Sequence, residues 1–190
     1  MMHSLLDDPR LHDFLRSVDG ELASAAQAAG CPRCGGILHS ARYPRRVRGS
    51  TADAISCYRM SFCCAQDRCR RRLTPPSVRF AGHKRFLGAV VLLVSAARHG
   101  ARAAHARALE RAYGISRSTL ARWQRWWREN VPTTGYWQIA KTRFASPIGT
   151  VGMATELVRR FNATATVDHL VAALRFLAPV HDSRGSAWSA

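Results

Sequence analysis

The sequence predicts an α+β protein, mostly α, in which a small β module precedes a helical bundle and a short helical tail. Residues 31–73 hold two pairs of cysteines and two extended stretches, which together indicate the β module. The Thr-Pro-Pro-Ser sequence within residues 74–81 breaks any regular element and is typical of a linker. From residue 82 onward, apolar residues recur at helical spacing, so residues 82–131 and 132–190 are predicted to be helical.

Residues 1–30 form an N-terminal helical segment in this prediction. Four apolar residues within it recur at helical spacing and predict an amphipathic helix: Leu11, Phe14, Leu15 and Val18. Gly20 is expected to interrupt that helix, because glycine weakens a helix interior. The segment carries no chemistry-bearing pattern, so we expect it either to pack as a cap on the fold or to fray.

The first cysteine pair, Cys31 and Cys34, lies in the sequence Cys-Pro-Arg-Cys-Gly. Two thiolates three residues apart can bind one ion when the turn between them is tight, and Gly35 relieves the backbone there. Cys64 and Cys69 supply a second pair, and the 29 residues between the pairs suffice for two strands and their turn. This is the plan of a zinc ribbon, with one structural Zn²⁺ bound by all four cysteines.

Two other cysteines and one histidine are alternative ligands. Cys63 is adjacent to Cys64 and could replace it, but strand parity favours Cys64, which shares one side of its strand with Phe62. Cys57 fits a small buried apolar residue better than a ligand, and His39 is a weak substitute for one thiolate. A redox role would need a βαβ frame that the sequence lacks, and four thiolates leave no open position for a catalytic metal.

The charge of the chain indicates a polyanionic partner. The sequence has 29 Lys and Arg against 12 Asp and Glu, a formal net charge of +17. Residues 31–130 carry 21 of these basic and 4 of these acidic side chains, which accounts for the whole excess. Nucleic acid fits better than a membrane, because this block lacks a basic amphipathic helix with a lipid-facing side. The arginines of the β module that we expect to contact phosphates are Arg42, Arg45, Arg46, Arg48, Arg68, Arg70, Arg71 and Arg72.

Residues 108–123 have the layout of a helix-turn-helix. Gly114 ends one helix in the left-handed conformation, Ile115 fills the turn, and Ser116 caps the next helix. The inward side of that second helix is predicted to carry Leu120, Trp123 and Trp127. Its outward side carries the residues expected to enter a major groove: Arg117, Ser118, Arg122 and Arg125. A three-helix bundle that binds nothing is the alternative, and Trp126 is assigned to neither core nor surface.

Other helices are predicted at about 83–98, 149–161 and 166–177, with a loop from residue 133 to the second of these. The last two helices would share an apolar seam of Leu157, Val158, Phe161, Leu170, Leu174 and Leu177. The most apolar run, Leu87–Ala97, is too short to span a bilayer, and the acidic N-terminus lacks the apolar core of a secretory signal. We therefore expect a cytoplasmic, nucleoid-associated protein.

Residues 31–130 resemble the DNA-binding front of bacterial insertion-sequence transposases, notably the ISL3-like family. The zinc-finger domain of that family pairs a Cys-Pro-x-Cys-Gly knuckle with a later Phe-Cys-x4-Cys that is followed by arginines. The matching residues here are Cys31 to Gly35, Phe62, Cys64, Cys69 and Arg70 to Arg72, with a helix-turn-helix behind them. The stretch from Cys63 to Phe80 also resembles short proteins that are linked to mobile elements.

Full-length transposases carry a ribonuclease-H-like domain in which Asp, Asp and Glu hold two metal ions. Only Glu156, Asp168 and Asp182 follow the helix-turn-helix here, too little chain for that domain. The resemblance therefore implies a non-enzymatic, zinc-dependent DNA-binding protein, an accessory or truncated protein of a mobile element. Its partners would be double-stranded DNA and either a transposase or a second copy of the chain, with no small-molecule substrate.

Three rival functions stay open. A stand-alone transcription regulator could use the same two modules, and an RNA-binding protein would carry similar charge. A nuclease or recombinase would depend on acidic residues such as Glu156 or Asp168.

Overall fold

The computed structural model describes residues 6, 8–44, 58–80, 87–98, 107 and 111–181. In chain order, the elements are α1 (Pro9–Ala28), β1 (Leu38–Pro44), β2 (Tyr58–Cys64), β3 (Arg72–Leu73), α2 (Gly88–Arg98), α3 (Arg117–Arg125), α4 (Gly135–Ala140), α5 (Met153–Arg160) and α6 (Val167–Leu177). A π-helical turn, Trp126–Asn130, extends α3, and short 3-10 turns follow α4 and α6. The predicted fold class, α+β and mostly α, is confirmed.

Helix α1 runs without interruption, so the predicted break at Gly20 is wrong. Asp8 caps its first turn by accepting a hydrogen bond from the Arg10 backbone N–H (2.9 Å), and Pro9 suits the first helical position. A mid-helix glycine costs about 1 kcal/mol relative to alanine. Burial of apolar side chains on both sides of Gly20 offsets that cost, because Leu15 and Val18 precede it and Ala23 follows it in buried positions.

The two apolar cores of the protein meet along α1. Leu11, Leu15 and Val18 belong to the large helical core. One turn further on, Ala23 packs into the smaller core of the β module, together with Phe62 and the buried cysteines. The N-terminal helix therefore packs against both cores and does more than cap the fold.

The β module is a three-stranded antiparallel sheet in the order β1-β2-β3. Leu38 pairs with Cys64 at one end of the β1–β2 ladder, and Pro44 pairs with Tyr58 at the other. The short strand β3 was not predicted; it pairs with β2 through Phe62 and Leu73. The residues between β1 and β2, among them Arg45, Arg46, Arg48 and Cys57, lie outside the described residues.

The predicted linker contains a packed stretch. Ser77, Val78, Arg79 and Phe80 are all buried, although none lies in a helix or strand. The Asp19 carboxylate of α1 accepts hydrogen bonds from Ser77 Oγ (2.7 Å) and from the Val78 backbone N–H (2.8 Å). These two hydrogen bonds compensate the polar groups that the stretch buries without regular structure.

The first helix of the bundle, α2, begins at Gly88, five residues later than the predicted start. Leu87 forms a β-bridge with Phe80, so the chain is still extended immediately before the helix. The Gly88 N–H donates to the Arg79 carbonyl (2.8 Å), and a Cβ at Gly88 would lie 2.9 Å from the Val78 carbonyl oxygen. From Ala89 to Val94 the helix is buried on every side and passes through the helical core.

The C-terminal region contains one more helix than predicted, because α4 lies where a loop was expected. Thr134 caps α4 by accepting a hydrogen bond from the Trp137 N–H (3.2 Å), and Trp137 itself is buried. The predicted seam between α5 and α6 is confirmed: Leu157, Leu170, Leu174 and Leu177 are buried, with Val158 and Phe161 packed against them. Among the described residues, no helix is both long enough and apolar enough to cross a bilayer.

Candidate metal centre and nucleic-acid interface

Four cysteine side chains converge beside the sheet, and we call them the cysteine cluster: Cys31, Cys34, Cys64 and Cys69. Their sulfur atoms all lie within 4.8 Å of one another. The Cys31 and Cys69 sulfurs are 3.7 Å apart, and the Cys34 and Cys64 sulfurs are 3.5 Å apart. Around a tetrahedral metal ion with metal–sulfur bonds of about 2.3 Å, sulfur atoms are separated by about 3.8 Å. The geometry is therefore compatible with a single structural metal site.

The first pair of cysteines is held by a tight turn. The Gly35 N–H donates to the Cys31 carbonyl (2.8 Å), and Gly35 has a φ of +69°, a conformation that glycine adopts at little cost. Gly36 is required for a different reason, which the sequence analysis missed. A Cβ at Gly36 would lie 3.2 Å from the Cys64 sulfur and 3.4 Å from the Cys34 sulfur. In the sequence, the adjacent Gly35 and Gly36 are the one feature that could have predicted this close approach of the backbone to the cysteine sulfurs.

The second pair is spaced by two residues more than a standard knuckle, and a turn accommodates them. The N–H groups of Cys69 and Arg70 both donate to the Gln66 carbonyl (2.9 Å each), and Arg70 has a φ of +44°. The Cys64 N–H donates to the Arg71 carbonyl (2.9 Å), which links the end of β2 to the residues after the turn. These hydrogen bonds bring Cys64 and Cys69 to the same point.

Cys64, not Cys63, lies in the cluster. Cys64 has no exposed surface, whereas the Cys63 sulfur lies 3.7 Å from the carbonyl oxygens of Cys64 and Arg70 and is partly exposed. Adjacent residues of a strand point to opposite faces, so only one of the two can reach the cluster. His39 pairs with Cys63 in the β1–β2 register and is not part of the cluster.

The electrostatic environments of the cysteines differ. The backbone N–H groups of Arg33 and Cys34 lower the pKa of the Cys31 thiol to about 6. Burial raises the pKa of the Cys64 thiol to about 12, since the charged form loses its hydration. Four thiolates this close would repel one another, and a bound cation removes that repulsion. The arrangement is therefore suited to binding a metal cation.

No protein-family model, curated protein or solved structure matches the chain. Within the described part of the chain, the cysteine cluster is the only group of three or more Cys, His, Asp or Glu side chains whose ligand atoms come this close.

The arginines that follow the second cysteine pair are exposed. Arg70, Arg71 and Arg72 lie at the surface beside the cluster, and we call them the ribbon arginines. The nearest ion pair is loose, since the Arg70 guanidinium lies 3.9 Å from the Asp67 carboxylate and Asp67 is fully exposed. Of the other arginines predicted for this surface, Arg42 and Arg68 are exposed, and Arg45, Arg46 and Arg48 lie outside the described residues.

The turn and second helix of the predicted helix-turn-helix have the expected local geometry. Gly114 has a φ of +59°, Ile115 is buried, and Ser116 Oγ accepts a hydrogen bond from the Thr119 N–H (3.2 Å). Arg111 and Ala112 are helical, while most of the first helix lies outside the described residues.

The four residues predicted to read a groove are exposed on α3, and we call them the α3 face: Arg117, Ser118, Arg122 and Arg125. At about 100° per residue they span an arc of about 140°, with Leu120 and Trp123 on the opposite side. The Arg122 guanidinium donates to Thr119 Oγ1 (3.1 Å), which orients it along the helix. A single polar face with three arginines is thus available to a partner.

All three neighbouring tryptophans belong to the core. Trp123, Trp126 and Trp127 are each less than a tenth exposed, and the Trp126 and Trp127 rings pack edge to face with centroids 4.7 Å apart. Residues at i, i+3 and i+4 lie on one side of a helix, which explains why Trp126 joins the other two. None of the three is free to stack on a base.

Two acidic residues on which a nuclease would depend, Glu156 and Asp168, each make structural interactions. Glu156 on α5 forms ion pairs with Arg159 (2.9 Å) and Arg160 (3.4 Å), and the Arg159 hydrogen bond lowers the pKa of the Glu156 carboxyl. Asp168 is exposed in the first turn of α6, where a negative charge interacts favourably with the positive end of the helix dipole. Both residues therefore have structural explanations.

Proposed function

We propose that this chain is a zinc-dependent DNA-binding protein, related to transposases and acting as an accessory protein of a mobile element. The observation that carries the proposal is the position of the ribbon arginines: they follow directly on the cysteine cluster, on a surface whose backbone the cluster fixes. A metal bound there would hold three guanidinium groups in a defined arrangement. The link to mobile elements depends on the sequence resemblance alone.

Zinc is the proposed metal because four thiolates in a tetrahedron suit Zn²⁺, and the sulfur separations match a Zn–S distance of about 2.3 Å. Iron is the other metal that this ligand set accepts. Elemental analysis of the purified full-length chain tests the assignment. We expect one zinc ion per chain, and iron in its place would contradict the proposal.

DNA is the proposed partner because the exposed arginines have few carboxylates to neutralise them. The formal net charge of +17 is concentrated in the block that contains the ribbon arginines and the α3 face. Arginine binds phosphate through two parallel hydrogen bonds, and the outward side of a helix such as α3 fits the major groove. In this proposal, the ribbon arginines contact the backbone while the α3 face reads base edges.

The salt dependence of duplex binding tests the role of the ribbon arginines. Each lost phosphate contact should reduce the slope of log K against log salt by about 0.9, so replacing Arg70–Arg72 by alanine should reduce it by roughly 2–3. The matched control replaces three exposed arginines outside the ribbon and α3 by alanine: Arg10, Arg143 and Arg159. It has the same net charge, and we expect its slope to stay near the wild-type value. Equal slopes for both triple variants would contradict a specific interface.

Base reading by α3 has a separate test. Arg122→Ala should cost roughly 1–3 kcal/mol at one base pair of the preferred site and leave other positions unchanged. A uniform loss over all sequences would instead make Arg122 a backbone contact. Genomic footprinting then addresses the biological role: occupancy at the ends of mobile elements supports the proposal, whereas occupancy confined to sites upstream of genes would favour a transcription regulator.

A further inference from the structure

A cavity of about 280 Å³ lies where α1, the outer end of the β1–β2 pair and residues 75–79 meet. It lies at the opposite end of the sheet from the cysteine cluster. Tyr58, which lines the cavity, begins β2 and Cys64 ends it, and six residues of strand span about 20 Å. The cysteine cluster, the ribbon arginines and the α3 face do not line this cavity, whereas Arg42, which the sequence predicts to contact phosphates, does. Its lining therefore needs its own explanation.

Positively charged side chains outnumber negative ones along the cavity. Among the described residues, the charged ones that line it are Arg16, Arg42, Arg59, Arg79 and Asp19. Both oxygens of the Asp19 carboxylate already accept hydrogen bonds from the cavity wall, from Ser77 Oγ and the Val78 N–H. Hydrogen bonds do not cancel the charge of the Asp19 carboxylate, which also interacts with Arg79, and Arg16 pairs with Asp13 (3.0 Å). Four arginines against these two carboxylates still leave a positively charged lining, which favours an anionic occupant.

Arg79 is the most informative of these residues because it is buried. Its exposed fraction is 8%, and its guanidinium carbon lies 5.0 Å from the centre of the Phe80 ring. No described residue accepts a hydrogen bond from its guanidinium. Since a buried guanidinium has five N–H donors that require acceptors, an anion or water in the cavity has to supply them. Arg42 is exposed on β1 and is also free to contact a bound anion.

The rest of the lining is apolar and flat. Tyr58 is 51% exposed, and Met60, Pro75 and Pro76 also lie along the walls. A volume of about 280 Å³ is at the lower limit of the roughly 300–1,000 Å³ typical of ligand pockets, which excludes a duplex or a folded partner. Aromatic rings and guanidinium planes are the surfaces on which unstacked bases pack. An occupant with one flat ring and one anionic group matches both parts of the lining.

We infer that this cavity binds one unstacked nucleotide, with its base against Tyr58 and its phosphate on Arg79 and Arg42. The source of the nucleotide rests on the proposed function: a single-stranded stretch next to duplex held by the ribbon arginines would present it. Such a site would let the protein distinguish the junction or end of a DNA duplex from its interior, because an intact duplex keeps its bases stacked.

The test compares three DNA ligands by fluorescence anisotropy with the full-length, zinc-loaded chain. They are a blunt duplex, the same duplex with a short single-stranded extension, and that duplex with an abasic extension. We expect the bases of the extension to raise affinity about tenfold over the abasic extension, since one stacked base contributes an effect of this order. Tyr58→Ala should abolish that difference, whereas Tyr58→Phe, which retains the ring, should keep it. Arg42→Ala should weaken binding of both extended duplexes and leave the blunt duplex unaffected.

The outcomes separate this inference from the proposed function. Equal affinities of wild type for the intact and abasic extensions, or an undiminished difference in Tyr58→Ala, would overturn the nucleotide cavity even if the blunt duplex binds well. Failure of the wild type to bind the blunt duplex would instead contradict the proposed function. Deoxyadenosine monophosphate is titrated without DNA as a separate arm. Binding that Tyr58→Ala abolishes would support the cavity and identify a free nucleotide as its source.

Discussion

The adjacent cysteines on β2 allow a sharp test of the metal centre. Cys64→Ser removes a sulfur atom from the cluster, whereas Cys63→Ser removes a sulfur that lies 3.7 Å from two carbonyl oxygens and outside the cluster. The two variants change the same atom type, one residue apart in the same strand. Any difference between them therefore reports on the position of the sulfur.

The expected magnitude follows from the number of ligands. Structural zinc sites of this kind bind with about 10–16 kcal/mol near neutral pH. Divided evenly over four sulfurs, this is about 2.5–4 kcal/mol for each, or a roughly 70- to 900-fold loss of affinity for Cys64→Ser. Cys63→Ser should change the affinity less than about fivefold, since it disturbs only weak contacts to carbonyl oxygens.

Competition with a chelator of known affinity, using the full-length chain under reducing conditions, measures both values. Thermal unfolding with and without zinc provides a second readout, because metal binding and folding of the β module are coupled. The reasoning is refuted if Cys63→Ser loses as much zinc affinity as Cys64→Ser. It is also refuted if Cys64→Ser binds zinc as tightly as wild type.

Three further predictions concern the same molecule. Zinc affinity should rise with pH, because binding displaces thiol protons. The slope of log affinity against pH should steepen below about pH 6, where Cys31 as well as Cys64 is protonated. Chelator competition over a pH series measures this slope, and a constant slope would contradict the prediction. Gly36→Ala should destabilise the zinc-bound protein by about 1–3 kcal/mol without removing a ligand, because the new Cβ would lie 2.8 Å from Gln66 Cγ and 3.2 Å from the Cys64 sulfur. An unchanged free energy of unfolding of the zinc-bound protein would show that the surroundings can move aside. Burial raises the pKa of Asp19 above its unfolded value, so the free energy of unfolding of the wild type should fall relative to that of Asp19→Asn as the pH rises through the folded pKa. Denaturant unfolding of both proteins at a series of pH values checks this, and a wild type that gains stability relative to the variant with rising pH would contradict it.

The cysteine cluster could be predicted from the sequence because its determinants are local. The spacing of Cys31 and Cys34 fixes one half of the site, and strand parity alone separates Cys64 from Cys63. The cap at Ser116 and the turn at Gly114 are likewise local, and both are observed. Features of this kind depend on residues a few positions apart, which a sequence displays directly.

The features that were missed depend on contacts between distant residues. Asp19 binds Ser77 and Val78, which are 58 and 59 residues away, and no local spacing reports such a contact. Helix α4 has only six residues, too few to be stable alone, and it is held by burial of Trp137. Its sequence therefore resembles a loop until its tertiary packing is known.

The continuity of α1 has a physical consequence for how the two proposed DNA-contacting surfaces relate. Its first half, through Val18, is buried in the same core as α2 and α3, and its second half, at Ala23, is buried with Cys31 and Cys64. Gly20 lies between Val18 and Ala23, exposed and with open space around it, and Leu22 beyond it still packs against the large core. The contacts of the two cores therefore overlap along one helix that has its weakest residue nearby. A metal ion that stabilises the small core thus stabilises the second half of α1, and through it the position of the ribbon arginines relative to the helical bundle.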